Sequence, residues 1–83
     1  MRLTVVYFGK LMDAAGTDTE TVEVPSDITD SDVLTKWLDE FHGMAGALRA
    51  PSVRLAINDR FLNAPQALRD GDEVAFMPPV GGG

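Results

Sequence analysis

Cysteine is absent from this sequence, and histidine occurs only once. Without a thiol the chain can form no disulfide, no thiolate nucleophile and no cysteine-ligated zinc site. The single histidine, His42, has no second histidine or cysteine with which to share a metal ion. We expect it at a helix end, where a cation interacts favourably with the helix dipole. The sequence therefore predicts no metal site, no cofactor bound by this chain, and no pair of nucleophile and base for catalysis by the chain alone.

Positive charge and long apolar runs are also scarce. Seven Lys and Arg stand against thirteen Asp and Glu, which gives a formal net charge of -6. This charge repels phosphate backbones and anionic lipids, so we expect no nucleic acid and no membrane as partner, whereas a basic protein surface would suit the chain. The apolar run from Leu3 to Phe8 is too short for a secretion signal and is soon followed by Asp13. We therefore expect a cytoplasmic protein.

The residues that are present suffice for one domain. With 83 residues, of which 45% are hydrophobic and 24% charged, the chain can build a single core. Turn residues at Asn58-Asp59 and Asp70-Gly71-Asp72 separate the predicted elements, and the second turn lacks the further ligands of a calcium loop. Residues 65–68 are expected to form a turn or a short 3₁₀ piece. Strand-forming residues and period-two alternation predict five strands, at residues 3–8, 17–24, 53–57, 60–62 and 73–77.

A helix of several turns is predicted between the second and third strands. From Thr29 onward the apolar residues fall on one helical face, which we expect to cover the core. Thr29 and Asp32 have capping-box spacing, and Gly43 is the expected stop. A shorter helical turn is expected to end at Gly16 in the left-handed conformation. The apolar face comprises Val33, Leu34, Trp37, Leu38 and Phe41, and the face expected to be solvated comprises Lys36, Asp39 and Glu40.

These elements predict an α+β fold, a roll in which a mixed sheet of about five strands carries one main helix across one face. We expect the first and last strands at its centre. Because side chains alternate along a strand, Leu3, Val5 and Tyr7 would face the helix. The helix-free face would then expose an apolar patch. In the alternative, the strand register is shifted by one residue and the same side chains belong to the core. The predicted patch comprises Val6, Phe8, Phe61 and Met77.

The last six residues suit neither a strand nor a helix. We predict a folded domain over residues 1–77 and a flexible tail over 78–83, which reads Pro78-Pro79-Val80-Gly81-Gly82-Gly83. Glycines can thread a narrow channel, and the prolines would stiffen the start of the tail, so its carboxylate could reach about 20 Å into another protein. Transfer of AMP from ATP would make that carboxylate an acyl adenylate, which a sulfur or amine nucleophile can attack. A disordered end without a role is the alternative.

The stretch from Leu68 to Gly83, with its double proline and terminal Gly-Gly, resembles the C-terminal signature of the MoaD/ThiS sulfur-carrier family of ubiquitin-like β-grasp proteins. Residues 5–11, 15–17 and 55–58 fit the same family, so the resemblance covers nearly the whole chain. The likeness is greatest to the branch that serves molybdopterin synthase. Two positions depart from the family pattern: Gly81 stands in place of Ser, Thr or Ala, and Gly9 in place of Ala.

The resemblance implies that the chain acts through its tail. An adenylyltransferase of the ubiquitin-activating type would use ATP to adenylate the carboxylate of Gly83, and a sulfur donor would convert it to a thiocarboxylate. The tail would then enter the large subunit of molybdopterin synthase, in a heterotetramer of two small and two large subunits, and deliver sulfur to cyclic pyranopterin monophosphate. The tail residues expected in the partner's channel are Pro78, Pro79, Val80, Gly81 and Gly82, and the residues expected to dock on the large subunit are Phe8, Phe61 and Met77.

Three other functions are compatible with the sequence. The same activated tail could serve a sulfur carrier for the thiazole of thiamine or for cysteine. It could instead form an isopeptide bond with a lysine of a target protein, as in a ubiquitin-like modifier. The third alternative is a plain interaction module with an inert tail, which would tolerate the loss of Gly82 and Gly83.

Overall fold

The computed structural model describes residues 1–78, which form a five-stranded sheet with two helices. The predicted tail beyond Pro78 lies outside the described residues. Over residues 1–78, no helix has the length and apolarity needed to cross a membrane. The strands are β1 (Arg2–Tyr7), β2 (Thr19–Glu23), β3 (Arg54–Ile57), β4 (Arg60–Phe61) and β5 (Glu73–Met77), and the helices are α1 (Lys10–Ala15) and α2 (Ser31–Phe41).

The strands lie in the order β2-β1-β5-β3-β4. β1 and β5 are parallel neighbours, whereas β1 pairs antiparallel with β2, and β3 pairs antiparallel with both β4 and β5. The predicted α+β roll, with a mixed sheet, one main helix and the first and last strands in its interior, is confirmed. A parallel pair requires a crossover connection, and α2 lies in it.

The core lies between the sheet and α2. Leu3, Val5 and Tyr7 of β1 are 0–1% exposed and belong to the same buried cluster as Leu34 and Leu38 of α2. The intervening residues of β1 are exposed or half-buried, as strand alternation predicts. The last strand follows the same pattern, since Val74 and Phe76 are buried and their neighbours are half-buried.

The turn chemistry is largely as predicted. Gly16 ends α1 with φ 80°, in the left-handed region. Asn58 and Asp59 join β3 to β4 with φ 49° and 69°, a conformation that Asn and Asp tolerate better than most residues. The prediction of a turn or 3₁₀ piece at residues 65–68 is wrong, because this segment is held extended against the start of α2. Ala67 forms a β-bridge with Asp30, and the Leu68 N–H donates to the Thr29 carbonyl at 3.0 Å.

The start of α2 also differs from the predicted capping box. Asp30, rather than Thr29, is the N-cap: its carboxylate accepts the Val33 N–H at 2.9 Å, and its carbonyl accepts the Leu34 N–H. The Thr29 carbonyl is already engaged by the segment before β5, so the first helical turn begins one residue later.

The face of α2 that is buried differs from the apolar face predicted from the sequence. Phe41 is 62% exposed and Val33 is also exposed, although both were expected to face the core. Asp39, expected on the solvated face, is only 5% exposed. Its carboxylate accepts the N–H groups of Gly46 at 2.8 Å and Leu48 at 2.9 Å, and so holds the 3₁₀ turn Ala47–Arg49 against the helix. Hydrogen bonds to the loop therefore bury a helix position that was predicted to be solvated.

Candidate functional site

The face of the sheet opposite α2 carries a row of apolar side chains that crosses four strands. Val6 of β1 is in register with Ala75 of β5, Ala75 with Ala56 of β3, and Ala56 with Phe61 of β4. Residues in register point to the same side of a sheet. The row therefore has a large aromatic side chain at one end and small alanines in its middle.

A second, parallel row lies one step closer to the C-terminal end of β5. The Phe8 N–H donates to the Phe76 carbonyl at 3.1 Å, which extends the β1–β5 ladder by one residue, and Met77 is in register with Arg54. The guanidinium of Arg54 lies 4.1 Å from the centre of the Phe61 ring, within the range of a cation–π interaction.

We define the docking face as Val6, Phe8, Phe61, Ala75 and Met77. Phe8 is 45% and Phe61 48% exposed, and the other three side chains are half-buried. The structure thus places all four residues of the predicted patch on the helix-free side of the sheet. Their role in docking stays a prediction.

The last described residue, Pro78, follows directly on the docking face. It is half-buried and packs against Gly9, which lies between β1 and α1. The start of the predicted tail is therefore anchored to the edge of the docking face next to Phe8. The other tail residues of the predicted site lie outside the described residues, namely Pro79, Val80, Gly81, Gly82 and Gly83.

A polar cluster that the sequence did not predict joins β1, β2 and the end of α2. One oxygen of Glu20, Oε2, accepts the Tyr7 hydroxyl at 2.7 Å and lies 2.6 Å from Nε2 of His42. Burial raises the pKa of Tyr7 well above its ordinary value, and the hydrogen bond and negative charge of Glu20 raise it further. His42 does follow the last residue of α2, as predicted, but its partner is a carboxylate on a strand. No local spacing in the sequence connects these three residues.

The acidic turn before β5 is structural, as predicted. Asp72 is largely buried, and its carboxylate accepts hydrogen bonds from the Asn58 side chain at 2.9 Å and from the Arg69 N–H at 2.8 Å. The Asp70 carboxylate accepts the Arg2 N–H at 2.7 Å. These carboxylates tie the turn to the β3–β4 turn and to β1. Among residues 1–78, no group of three His, Asp or Glu side chains is arranged to hold a metal ion.

The sheet order, the central parallel pair and the single long helix define the ubiquitin-like β-grasp fold. The model of the ThiS family matches residues 5–83, and the chain belongs to this family. The match extends through the glycines that end the sequence.

Known relatives share almost the full length of the chain. The molybdopterin synthase sulfur carrier subunit of Escherichia coli (strain K12) is 33% identical over 98% of this chain and 99% of its own. A protein–protein complex of subunits 1 and 2 of the molybdopterin-converting factor from Helicobacter pylori contains a chain that is 26% identical, with a TM-score of 0.69 and complete coverage of both chains. The small archaeal modifier protein 1 of Haloferax volcanii is 26% identical, with a TM-score of 0.76 over 95% of this chain and 98% of its own.

Proposed function

We propose that this chain is the sulfur-carrier small subunit of a molybdopterin synthase. The observation that carries the proposal is the near-complete, end-to-end match to the Escherichia coli sulfur carrier subunit, together with a family match that includes the terminal glycines. The Helicobacter pylori complex of subunits 1 and 2 supports a large subunit as the partner.

In this proposal the reactive atoms belong to Gly83. The carboxylate attacks the α-phosphate of ATP on the activating enzyme, and pyrophosphate leaves. A hydrosulfide equivalent from a sulfur donor then displaces AMP, which leaves a thiocarboxylate. The sulfur passes to cyclic pyranopterin monophosphate in the large subunit, and an oxygen from water restores the carboxylate. The domain contributes binding and delivery, while its partners supply the catalytic side chains.

The docking face suits the delivery step because it adjoins the start of the tail. Met77 directly precedes Pro78, and Phe8 directly precedes Gly9, on which Pro78 packs. A partner bound on this face would therefore lie next to Pro78. The exposed aromatic side chains of Phe8 and Phe61, together with the half-buried Ala75, offer apolar area for a protein interface. The net charge of -6 favours association with a basic channel.

A second candidate function is a protein modifier. The structural likeness to the small archaeal modifier protein 1 of Haloferax volcanii favours it. The two functions share the activated carboxylate and differ in the nucleophile that attacks it: a sulfur nucleophile yields the thiocarboxylate, whereas the amine of a target lysine yields an isopeptide bond.

The mass of the intact protein separates the two functions. The untagged chain is incubated with ATP, a sulfur source and a lysate that contains its native activating enzyme. Replacement of one oxygen by sulfur at Gly83 is expected for a sulfur carrier. An unchanged mass accompanied by high-mass conjugates of the chain would favour the modifier. If neither product forms, an interaction module with an inert tail is the remaining function.

Deletion of Gly83 is expected to abolish sulfur transfer and to leave the melting temperature unchanged, because it removes none of the core residues that the structure describes in residues 1–78. Product formation by the purified complex is the measurement. The matched control is one short tag placed either before Met1 or after Gly83: only the C-terminal tag should block transfer. Retained transfer by the deletion variant would disprove the tail mechanism.

A further inference from the structure

Arg54 places a positive charge beside the docking face. It is exposed and lies on β3 in register with Met77, which directly precedes Pro78. Its guanidinium lies 4.1 Å from the centre of the Phe61 ring. Among the described strand residues, Arg54 is the one ionisable side chain in the two rows that contain the docking face. The charge therefore lies within the area that a partner on this face would cover.

No carboxylate of the described residues neutralises this charge. The guanidinium of Arg2, on the same side of the sheet, donates to Glu23 at 3.0 Å, whereas that of Arg54 has neither an ion pair nor a side-chain hydrogen bond among residues 1–78. The π-electrons of the Phe61 ring attract the cation, but they do not satisfy its five N–H donors as a carboxylate does. These donors therefore remain available to another molecule.

Docking of a partner would remove the Arg54 guanidinium from water. A buried charge is costly unless it is paired and hydrogen-bonded, so a surface that covers Phe61 and Met77 must offer an acceptor to Arg54. A carboxylate fits best, because its two oxygens match the planar fork of the guanidinium. The contact with the ring already restricts the Arg54 side chain, so less conformational entropy is lost when the pair forms.

We infer that Arg54 selects the partner of the docking face by pairing with a carboxylate on that partner. In the proposed function the partner is the large subunit, and the inference rests on that proposal. Because the chain carries a net charge of -6, the surface that suits it as a whole is basic. A basic surface repels Arg54 unless it carries an acidic residue opposite, next to the apolar area that receives Phe61. This local reversal of sign excludes basic surfaces that lack the carboxylate and fixes the orientation of docking.

The test compares Arg54→Gln with Arg60→Gln in calorimetric titrations with the large subunit. Arg60 is also exposed, but it is in register with the buried Ile57 and so lies on the opposite side of the sheet. Both substitutions make the chain more acidic, which by general attraction to a basic partner would tighten binding. We expect Arg54→Gln instead to raise the Kd about tenfold or more, and Arg60→Gln to change it less than about twofold. Equal Kd values for the two variants would overturn the inference.

A charge exchange identifies the acceptor on the large subunit. Arg54→Glu is expected to weaken binding by about a hundredfold, because two carboxylates then face each other. The exposed Asp and Glu residues of the large subunit are each replaced by Arg, one at a time. One replacement should restore binding to Arg54→Glu by about tenfold or more and weaken binding to the unchanged chain. If none of them restores binding, the inference is overturned.

A third comparison separates pairing with a carboxylate from support of the Phe61 ring. If Arg54 acted only by holding the ring, Arg54→Gln would have no effect on the Kd in the Phe61→Leu background. We expect most of its effect to remain there, because the carboxylate contacts the guanidinium itself. Disappearance of the effect would contradict the inference.

Two controls keep the outcomes distinct. Arg54 lies outside the buried core, so we expect its variants to fold, which the fluorescence of the only tryptophan, Trp37, reports. If Arg54→Glu does not fold, Arg54→Lys takes its place: it keeps the charge but lacks the planar fork, and it should weaken binding several-fold. Unchanged affinity of Arg54→Lys would overturn the inference. Failure of the unchanged chain to bind the large subunit would instead contradict the proposed function.

Discussion

The two faces of the central strands differ sharply, although the residues of both faces alternate along the same strands. On β5, Val74 and Phe76 are fully buried beneath α2, whereas Ala75 and Met77 lie half-buried on the docking face. The covered face is filled by large side chains along its whole length. The docking face carries its large side chains at the margins, and Ala75 lies at its centre in register with the buried Ala56.

The difference indicates that the two faces have different roles, one in stability and the other in binding. The covered face contributes stability, since its residues are removed from water within the chain itself. The docking face leaves aromatic area in contact with solvent, which marks a surface suited to a partner. Three predictions, ordered by their largest expected effect on the free energy of unfolding, test this division.

The largest effect is expected from a matched pair of phenylalanines on opposite faces. Phe76→Ala should destabilise the domain by about 3–5 kcal/mol, because it removes a fully buried ring from a packed core. Phe61→Ala should cost only about 0.5–1 kcal/mol, chiefly through loss of the cation–π contact with Arg54. Urea unfolding of both variants gives the two values. Similar losses would show that the docking face also belongs to the core.

An intermediate effect is expected at the polar end of the covered face. Tyr7→Phe removes the hydrogen bond to Glu20 and should cost about 1.5 kcal/mol near neutral pH. Because the folded protein raises the pKa of Tyr7, only the unfolded chain loses this proton as the pH rises past about 10. The Tyr7 contribution is therefore complete below pH 10 and is progressively lost above it.

Unfolding measured at several pH values checks this prediction. The gap in stability between the unchanged chain and Tyr7→Phe should narrow above about pH 10. Tyr7 is the only tyrosine, so tyrosinate absorbance follows this residue alone and should appear in the folded protein only well above that pH. A gap that stays constant, or absorbance that appears at the ordinary pKa of tyrosine, would show that the hydroxyl is not buried against Glu20.

The smallest effect on stability is expected on the docking face itself. Phe8→Asp should change the free energy of unfolding by less than about 0.5 kcal/mol, since Phe8 is already 45% exposed and does not belong to the buried core. It should nevertheless weaken binding to the large subunit by about 2 kcal/mol, or thirtyfold in Kd, because the new charge becomes buried in the complex.

Phe41→Asp is the matched control for this substitution. Phe41 is also exposed but lies on α2, which covers the opposite face of the sheet, so its substitution should leave binding unchanged. Calorimetric titration of both variants with the large subunit measures the two affinities. Equal weakening would show that binding is not confined to the docking face, and a Phe8→Asp variant that unfolds would place Phe8 in the core.

Strand alternation explains why the division into two faces could be predicted from the sequence. A period of two, read from Leu3 to Phe8 and again before Met77, is enough to separate buried from exposed residues once the helix is located. The turn at Asn58-Asp59 and the stop at Gly16 were predictable for a similar reason, since both follow from local backbone preferences.

Contacts between distant segments could not be predicted in the same way. The carboxylate of Asp39 is buried by a loop that folds back onto the helix, yet an acidic residue grouped with Lys36 and Glu40 away from the apolar stripe has the pattern of a solvated face. The shared partner of Tyr7 and His42 is Glu20, which lies on an edge strand and carries no signature of its own. The contact between Gly9 and Pro78 likewise becomes apparent only when β1 and β5 lie side by side.

The parallel pairing of β1 with β5 also bears on how the domain folds. It pairs Thr4 with Glu73, two residues separated by nearly the full length of the described chain. Contacts between residues so distant in sequence form slowly, because a long loop must close first. Until β5 inserts between β1 and β3, Val6 has no neighbouring Ala75, and neither row of the docking face exists. A partner that binds this face therefore distinguishes chains that have completed folding from those that have not.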